Sequence, residues 1–132
     1  MIAFFDTNIY INLLKGNINL EDLSPYHGYL IRLSPIVKSE LLRGCKTNHA
    51  REVTQTLIDN LTEMLSPTNK MWEQAALILA KLLFKDQKRT DELQNDVLLA
   101  LTARHTGAIL ITQDKDFEEI QKYLQFHWIL HV

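Results

Sequence analysis

Two short apolar runs, one near each end of the chain, predict buried β-strands. The first, residues 2–5, stops at Asp6 and resumes as a helical pattern that continues to Leu14, and the second, residues 108–112, stops at Gln113. Apolar runs too short for a helix are typical of strands that are covered on both faces. Each run therefore predicts a buried strand that leads into polar residues and then a helix.

The hydrophobic pattern between these runs alternates between strand and helix periods. It predicts strands at 29–33, 63–65 and 126–130, and helices at 35–45, 48–61, 67–87, 92–105 and 117–124. Residues 15–27 are expected to form a loop with a short helical turn, and residues 88–91 to separate two long helices. This alternation favours a three-layer α/β/α fold with a mostly parallel central sheet of four to five strands, in a single domain spanning residues 1–132.

Local chemistry marks where several of these helices begin and end. Ser34-Pro35 and Ser66-Pro67 each combine a capping serine with a proline that suits the first helical position. Gly107 stands where a left-handed residue commonly closes a helix. These residues predict helix boundaries independently of the periodicity.

Charge and cysteine content exclude several classes of protein. The chain of 132 residues has 14 Lys plus Arg against 16 Asp plus Glu, a net charge of −2, so any nucleic-acid contact must be local. The single cysteine, Cys45, excludes an intrachain disulfide and a cysteine-based zinc cluster. No apolar stretch is long enough to span a bilayer. We therefore expect a cytoplasmic protein without a membrane partner.

Acidic residues follow both apolar strands. Asp6 comes directly after the first strand, and Asp114 and Asp116 come after the second. Because the carboxyl ends of parallel strands meet at one edge of a sheet, these acids converge if the two strands are neighbours. Converging carboxylates repel one another unless their pKa values rise or a cation neutralises them. The alternative is that Asp6 and Asp116 only cap the helices that follow them.

Two helices add acids on their inward faces. Glu40 shares a face with Val37 and Leu41, and Asp96 aligns with small residues such as Ala100. Acids are unusual on apolar helix faces, so both indicate an acidic pocket. The alternatives are a salt bridge from Glu40 to a basic residue and, for Asp96, a favourable interaction with the helix macrodipole.

A pocket of oxygen ligands favours a hard divalent cation, Mg²⁺ or Mn²⁺. The 5 histidines of the chain are scattered and show no zinc spacing. A carboxylate-held ion keeps water positions open, lowers the pKa of water and stabilises charge on a phosphate that is being displaced. The acids therefore indicate metal-assisted phosphodiester hydrolysis.

Four short motifs follow one another along nearly the whole chain. They are Asp6-Thr7-Asn8, Ser39-Glu40-Leu41 with Arg43-Gly44, Asn95-Asp96, and Thr112-Gln113-Asp114-Lys115-Asp116-Phe117. In their order and spacing the chain resembles the PIN-domain ribonuclease family, and in particular the VapC-type toxins of VapBC toxin–antitoxin pairs. The resemblance implies a PIN-like fold, an endoribonuclease that leaves 3′-hydroxyl and 5′-phosphate ends on RNA, a homodimer, and a small antitoxin protein that inserts a segment into the active-site groove.

The resemblance also implies a role for each motif residue. The catalytic and metal-holding acids would be Asp6, Glu40, Asp96 and Asp114, with Asp116 as an outer ligand. The polar supports of the pocket would be Thr7, Asn8, Asn95 and Thr112. Local cations must attract the RNA backbone, and the candidates are Lys38, Arg43 and Lys46, for which a solvated charged surface is the alternative.

Other functions stay open from the sequence. A PIN-domain nuclease with a housekeeping role in RNA processing would carry the same acids, and a non-catalytic PIN-like binding module would fail to bind metal. A signalling receiver domain shares a doubly wound sheet, but here the middle strand is followed by Ser66-Pro67 and not by a phosphate-accepting aspartate.

Overall fold

A computed structural model of the chain describes the backbone of residues 1–86 and 90–132 and the side chains of residues 1–82 and 93–132. Within that part, one sheet contains the strands β1 (Ile2–Phe5), β2 (Leu30–Leu33), β3 (Thr62–Glu63), β4 (Ile109–Thr112) and β5 (Trp128–Leu130). All neighbouring strands are parallel, in the order β3-β2-β1-β4-β5. The predicted three-layer α/β/α fold with a parallel sheet of four to five strands is confirmed.

Helices connect the strands in chain order. They are α1 (Thr7–Leu14), a 3-10 helix (Leu20–Tyr26), α2 (Pro35–Arg43), α3 (Asn48–Asp59), α4 (Asn69–Asp86), α5 (Thr90–Thr106) and α6 (Phe117–Ile120). As predicted, the Ser34 hydroxyl caps α2, accepting from the Ile36 amide at 3.2 Å, and Gly107 follows α5 at φ +74°. None of the helices in the described residues is long and apolar enough to cross a membrane.

The strand order explains how helices come to cover both faces of the sheet. From β1 the chain moves outward to β2 and β3, then crosses back to β4 and continues outward to β5 on the other side. Because crossovers between parallel strands are right-handed, this reversal places α1, α2 and α3 on one face and α4, α5 and α6 on the other. The crevice between β1 and β4, where the chain departs in opposite directions, is the topological switch point of the fold.

Helix α5 is buried to an extent that its sequence pattern does not reveal. The five consecutive side chains of residues 97–101 are at most 1% exposed, because the helix packs against both β4 and α4. A helix that is apolar on most sides has little amphipathic periodicity. Asp96 therefore lies on one of the most enclosed helices of the protein.

Several predicted boundaries differ from the structure: β3 is Thr62–Glu63 and not 63–65, β5 begins at Trp128 and not at 126, and α2, α3 and α6 end at Arg43, Asp59 and Ile120 and not at 45, 61 and 124. The starts of α4 and α5 also differ. Helix α4 begins at Asn69 and not at Pro67, because the Thr68 hydroxyl accepts the Met71 amide at 3.2 Å and so provides the cap that was assigned to Ser66. The break predicted at residues 88–91 is partly wrong, since α5 already begins at Thr90, and its remaining positions lie outside the described residues.

A buried hydroxyl without a partner provides a test of the core. Tyr10 is 3% exposed, and its hydroxyl has no hydrogen bond in the described part of the chain, whereas the Tyr26 hydroxyl meets His131 Nδ1 at 2.6 Å. Because a buried polar group without a partner lowers stability, we expect Tyr10→Phe to raise the free energy of unfolding by about 1 kcal/mol and Tyr26→Phe to lower it by about 1 kcal/mol. Urea denaturation of both variants measures the difference. A clear loss of stability in Tyr10→Phe would contradict the prediction.

Candidate active site

The carboxylates that follow β1 and β4 lie at the switch point of the sheet. These strands are neighbours, with Phe5 paired to Ile111, so Asp6 and Asp114 emerge at the same edge. The Asp6 amide continues the strand pairing by donating to the Ile111 carbonyl at 2.9 Å. The predicted convergence of acids at this edge rests on this pairing, and the pairing is confirmed.

Asp6 is held by hydrogen bonds to both of its carboxylate oxygens. Oδ1 accepts the Thr7 amide at 2.7 Å, so the side chain does cap α1. Oδ2 accepts the Thr112 hydroxyl at 2.7 Å and the Asn8 side-chain amide at 3.4 Å. The residue is only 5% exposed. Capping and membership of an acidic cluster are therefore compatible roles for Asp6.

The Thr112 hydroxyl joins β4 to the strand–helix turn that carries Asp6. It donates to Asp6 Oδ2 and accepts both the Asp114 amide at 3.0 Å and the Asn8 side-chain amide at 3.3 Å. A hydroxyl has one proton and two lone pairs, so these contacts use its whole capacity. Thr112 thus fixes the positions of Asp6 and of the backbone at Asp114 together.

Glu40 reaches the site from α2. Its Oε1 accepts the Thr7 hydroxyl at 3.0 Å across the contact between α1 and α2, and the side chain is partly exposed. No basic side chain among the described residues forms an ion pair with Glu40. The salt-bridge alternative for Glu40 is therefore wrong, and this carboxylate faces the other acids.

Electrostatic interactions among Asp6, Glu40, Asp96 and Asp114 show that these acids share one region. Burial raises the pKa of Asp96 to about 9, and the charges of Asp6, Asp114, Glu40 and Asp116 act in the same direction. Burial also raises the pKa of Asp6 to about 6, against the opposing effect of its hydrogen bonds from Thr112 and Thr7. Since α5 begins at Thr90, Asp96 lies beyond the first turn, where the macrodipole has little influence.

The loop after β4 places its two acids differently. Asp114 is partly buried and its Oδ1 accepts the Asp116 amide at 2.8 Å, which folds residues 114–116 into a tight turn. Asp116 is exposed and makes no side-chain capping bond to α6. The capping alternative for Asp116 is therefore wrong, and Asp114 is the more enclosed of the two.

The remaining predicted residues are less uniform in their placement. Asn95 is partly buried on α5, next to Asp96. Lys38 is engaged with Glu63, Nζ to Oε2 at 3.1 Å, so part of its charge is compensated. Arg43 and Lys46 are exposed at and beyond the end of α2. Of the predicted RNA contacts, these last two extend into solvent without a carboxylate partner among the described side chains.

The donor set fits a hard divalent cation. Every acidic side chain of the cluster offers oxygen, and mutual repulsion helps to raise the pKa values of Asp6 and Asp96, so a cation would relieve an unfavourable interaction. In the described residues no three His, Cys, Asp or Glu side chains already surround one metal-sized position. The acids therefore share one region of the protein without forming a closed set of metal ligands.

Sequence reasoning missed two residues that connect α1 to the acidic loop. The Asn12 side-chain amide donates to Gln113 Oε1 at 2.7 Å, and the Gln113 amide donates to Asn8 Oδ1 at 3.2 Å. Asn8 and Asn12 are four residues apart on α1 and so lie on one face of the helix. That spacing of two amides on a short helix was the available signal. Together these bonds hold the residue that immediately precedes Asp114.

The contact between Asn12 and Gln113 can be measured directly. We expect Asn12→Ala and Gln113→Ala each to lower the free energy of unfolding by about 1 kcal/mol, and the double variant to lose less than the sum, because both changes remove the same hydrogen bond. A double-mutant cycle in urea gives the coupling energy. Additive losses would show that the two side chains do not interact.

Comparison with known proteins defines the class. The PIN domain family model matches residues 3–123, and the chain therefore belongs to the PIN domain family, whose members are generally nucleases. No curated protein matches the sequence significantly.

Solved structures of similar fold cover almost the whole chain. Chains in VapBC-1 from nontypeable Haemophilus influenzae (TM-score 0.67, 22% identity), VapBC2 from Rickettsia felis bound to a DNA fragment from its promoter (0.72, 21%) and DNA-bound VapBC from Salmonella typhimurium (0.68, 20%) each match 98% of this chain. The match covers 97%, 98% and 98% of those chains, respectively.

Proposed function

We propose that this protein is a metal-dependent endoribonuclease whose Mg²⁺ or Mn²⁺ is held by Asp6, Glu40, Asp96 and Asp114. The observation that carries the proposal is the shared electrostatic region of these acids at the switch point, where burial and mutual repulsion raise the pKa of Asp6 to about 6 and that of Asp96 to about 9. Acids perturbed in this way are typical of functional sites. Membership of a family that generally consists of nucleases supports the same reaction.

The residues of the chain would divide the work between holding the ion and placing the substrate. A bound divalent cation stabilises charge on the phosphate and lowers the pKa of water. Thr112 and Asn8 fix the orientation of Asp6, and Thr7 fixes Glu40, so two of the ligands are already oriented before an ion binds. Such preorganised supports raise metal affinity because little order has to be gained on binding.

The phosphate backbone of RNA must approach a surface rich in carboxylates. Arg43 and Lys46 extend into solvent at the end of α2, the same helix that carries Glu40. We assign these two cations to backbone contacts beside the site, with Lys38 contributing less because Glu63 compensates its charge. Asp116, exposed on the loop after β4, would act as an outer ligand.

The nuclease proposal is tested with the purified protein. We expect Mn²⁺ to bind in calorimetry, and single-stranded RNA to be cleaved with Mg²⁺ or Mn²⁺ but not with a chelator, giving 3′-hydroxyl and 5′-phosphate ends. Absence of Mn²⁺ binding would contradict the proposal and favour a non-catalytic PIN-like module. Cleavage that persists in the chelator would contradict the assignment of the acids as metal ligands.

We further propose that the protein is the toxin of a VapBC-type pair, forms a homodimer and binds a small antitoxin protein. Structural similarity to VapBC proteins over 98% of the chain supports this biological role. The second candidate is a housekeeping PIN-domain nuclease, which has the same site without the partner. Gentle purification from the native host distinguishes them: a small protein that co-purifies in fixed ratio supports the toxin, and a chain that purifies alone supports the housekeeping nuclease.

A further inference from the structure

A pocket lies at the end of the sheet where β4 and β5 begin, opposite the end that carries the acids. It is formed where α5 ends and where the chain approaches β5, and its volume is about 780 Å³. Its lining residues are Arg104, His105, Gln121, Gln125, Phe126 and His127. Since β4 and β5 begin here and end at the acidic site, the two sites are separated by at least the length of a strand, about 13 Å for four residues.

Hydrogen bonds and ring contacts hold the walls of this pocket in place. Arg104 Nη1 donates to the Gln125 carbonyl at 3.0 Å, and the Trp128 indole donates to Gln121 Oε1 at 2.9 Å. The Phe126 ring stacks on Trp128 with centroids 6.2 Å apart. His105 Nε2 lies 2.9 Å from Gln74 Oε1 on α4. A pocket whose walls are already ordered loses little conformational entropy when a ligand binds.

The chemistry of the lining suits an anion that also carries a flat ring. It offers a guanidinium, two imidazoles, two carboxamides and a phenyl ring, and no carboxylate among the described lining residues. Among the described side chains none forms an ion pair with Arg104. One guanidinium N–H of Arg104 donates to the Gln125 carbonyl, and the other donors are open to a ligand. An adjoining pocket of about 490 Å³ shares Arg104 and Gln125 and adds Lys81. This concentration of cationic groups is local, because the chain as a whole has a net charge of −2.

We propose that this pocket binds a nucleotide of the RNA strand outside the cleavage site, with Arg104 on a phosphate and Phe126 against a base. The proposal rests on the proposed ribonuclease function. Arginine pairs with phosphate through several donors, and aromatic rings stack on bases of any sequence. A strand engaged here and at the acids would have to pass along the protein between the two edges of the sheet. Only RNA longer than a few nucleotides can therefore use both sites.

The test compares RNA binding by Arg104→Ala and His127→Ala with binding by Lys122→Ala. Lys122 is exposed, pairs with Glu119 at 2.9 Å and lies outside the lining, so it controls for the loss of one positive charge. Affinity for a fluorescent single-stranded RNA of about thirty nucleotides is measured by anisotropy in chelator, at several salt concentrations. We expect Arg104→Ala to weaken binding by about five- to tenfold and to reduce the salt slope by about one, and Lys122→Ala to change neither.

Two further measurements make the outcome decisive. A trinucleotide can occupy this pocket alone, so we expect Arg104→Ala to weaken its binding as well, which shows that the effect does not depend on the acidic site. Arg104→Lys keeps the charge, so recovery of the salt slope in that variant shows that a local loss of structure is not the cause.

Unchanged affinity for the long RNA in Arg104→Ala and His127→Ala would overturn the proposal. Binding of an acidic peptide that Arg104→Ala abolishes, and that RNA does not displace, would also overturn it. Because the assay contains no divalent metal, it reports on this pocket even if cleavage is never observed.

Discussion

Replacing Asp96 by asparagine should lower RNA cleavage on the order of 10³-fold and, in the absence of metal, make the protein more stable. Cleavage falls because an amide has no negative charge with which to hold a divalent cation, and removal of one strong electrostatic contact at an active site commonly has an effect of this size. Stability rises because burial and four neighbouring acids raise the pKa of Asp96 to about 9, so its ionised form is unfavourable in the folded state. We expect a gain of several kcal/mol at pH 8.

The opposite signs of the two effects separate catalysis from folding. Single-turnover cleavage assays and urea denaturation in chelator measure them on the same preparations. Asp59→Asn is a matched control, because Asp59 is exposed on α3. Within the described part of the chain its side chain accepts only the Gln55 side-chain amide, at 2.8 Å, and asparagine can accept the same bond. We expect this control to match wild type in both assays. Full activity of Asp96→Asn would show that Asp96 does not hold the metal, and a large loss of stability would show that Asp96 is a structural residue.

The metal-free protein should lose stability as the pH rises from about 4 to about 9. The pKa values of Asp6 and Asp96 are raised from the ordinary value of 3.8 to about 6 and about 9 in the folded protein. Between these limits the unfolded chain has released the proton while the folded chain still binds it, so deprotonation favours unfolding. Asp6 contributes mainly between pH 4 and 6, and Asp96 across the whole interval. We expect a combined loss of several kcal/mol, with Asp96 as the larger contributor.

Comparison with the doubly substituted protein isolates these two groups from every other titration. The free energy of unfolding is measured in chelator from pH 4 to pH 9 for wild type and for the variant Asp6→Asn with Asp96→Asn. The difference between the two curves should grow with pH. Addition of Mn²⁺ should stabilise wild type more at pH 8 than at pH 5, because Asp6 is then ionised and the proton on Asp96 is more easily displaced by the ion. A difference that is constant with pH would mean that neither carboxylate is perturbed.

Local sequence was sufficient to predict much of this fold. The apolar run before Asp6 and the run before Gln113 are the central strands β1 and β4, because short buried runs with no room for a helix have few other structures open to them. Parallel pairing then brings the acids after those strands to one edge. The spacing of apolar residues around Glu40 in α2 predicted that its side chain faces inward. In the structure that side chain accepts a hydrogen bond from the Thr7 hydroxyl.

Long-range contacts were beyond the reach of local patterns. Nothing near Thr112 indicates that its hydroxyl would bind Asp6, a residue 106 positions away, because that contact depends on which strands are neighbours. The same holds for Asn12 and Gln113, 101 positions apart. Competition between nearby caps explains the wrong start of α4, where Thr68 provides the capping hydroxyl that was predicted for Ser66.

The hydrogen bond between Thr112 and Asp6 also has a consequence for the time at which this protein becomes active. β1 leaves the ribosome before its neighbour β4, and Thr112, whose hydroxyl binds Asp6, is made 106 residues after Asp6. Contacts between distant parts of a chain form late in folding because the intervening loop must first be closed. A ribosome that is still translating this chain therefore carries an incomplete nuclease site. For a protein proposed to cut RNA, the acidic site is thus complete only after β4 has been made.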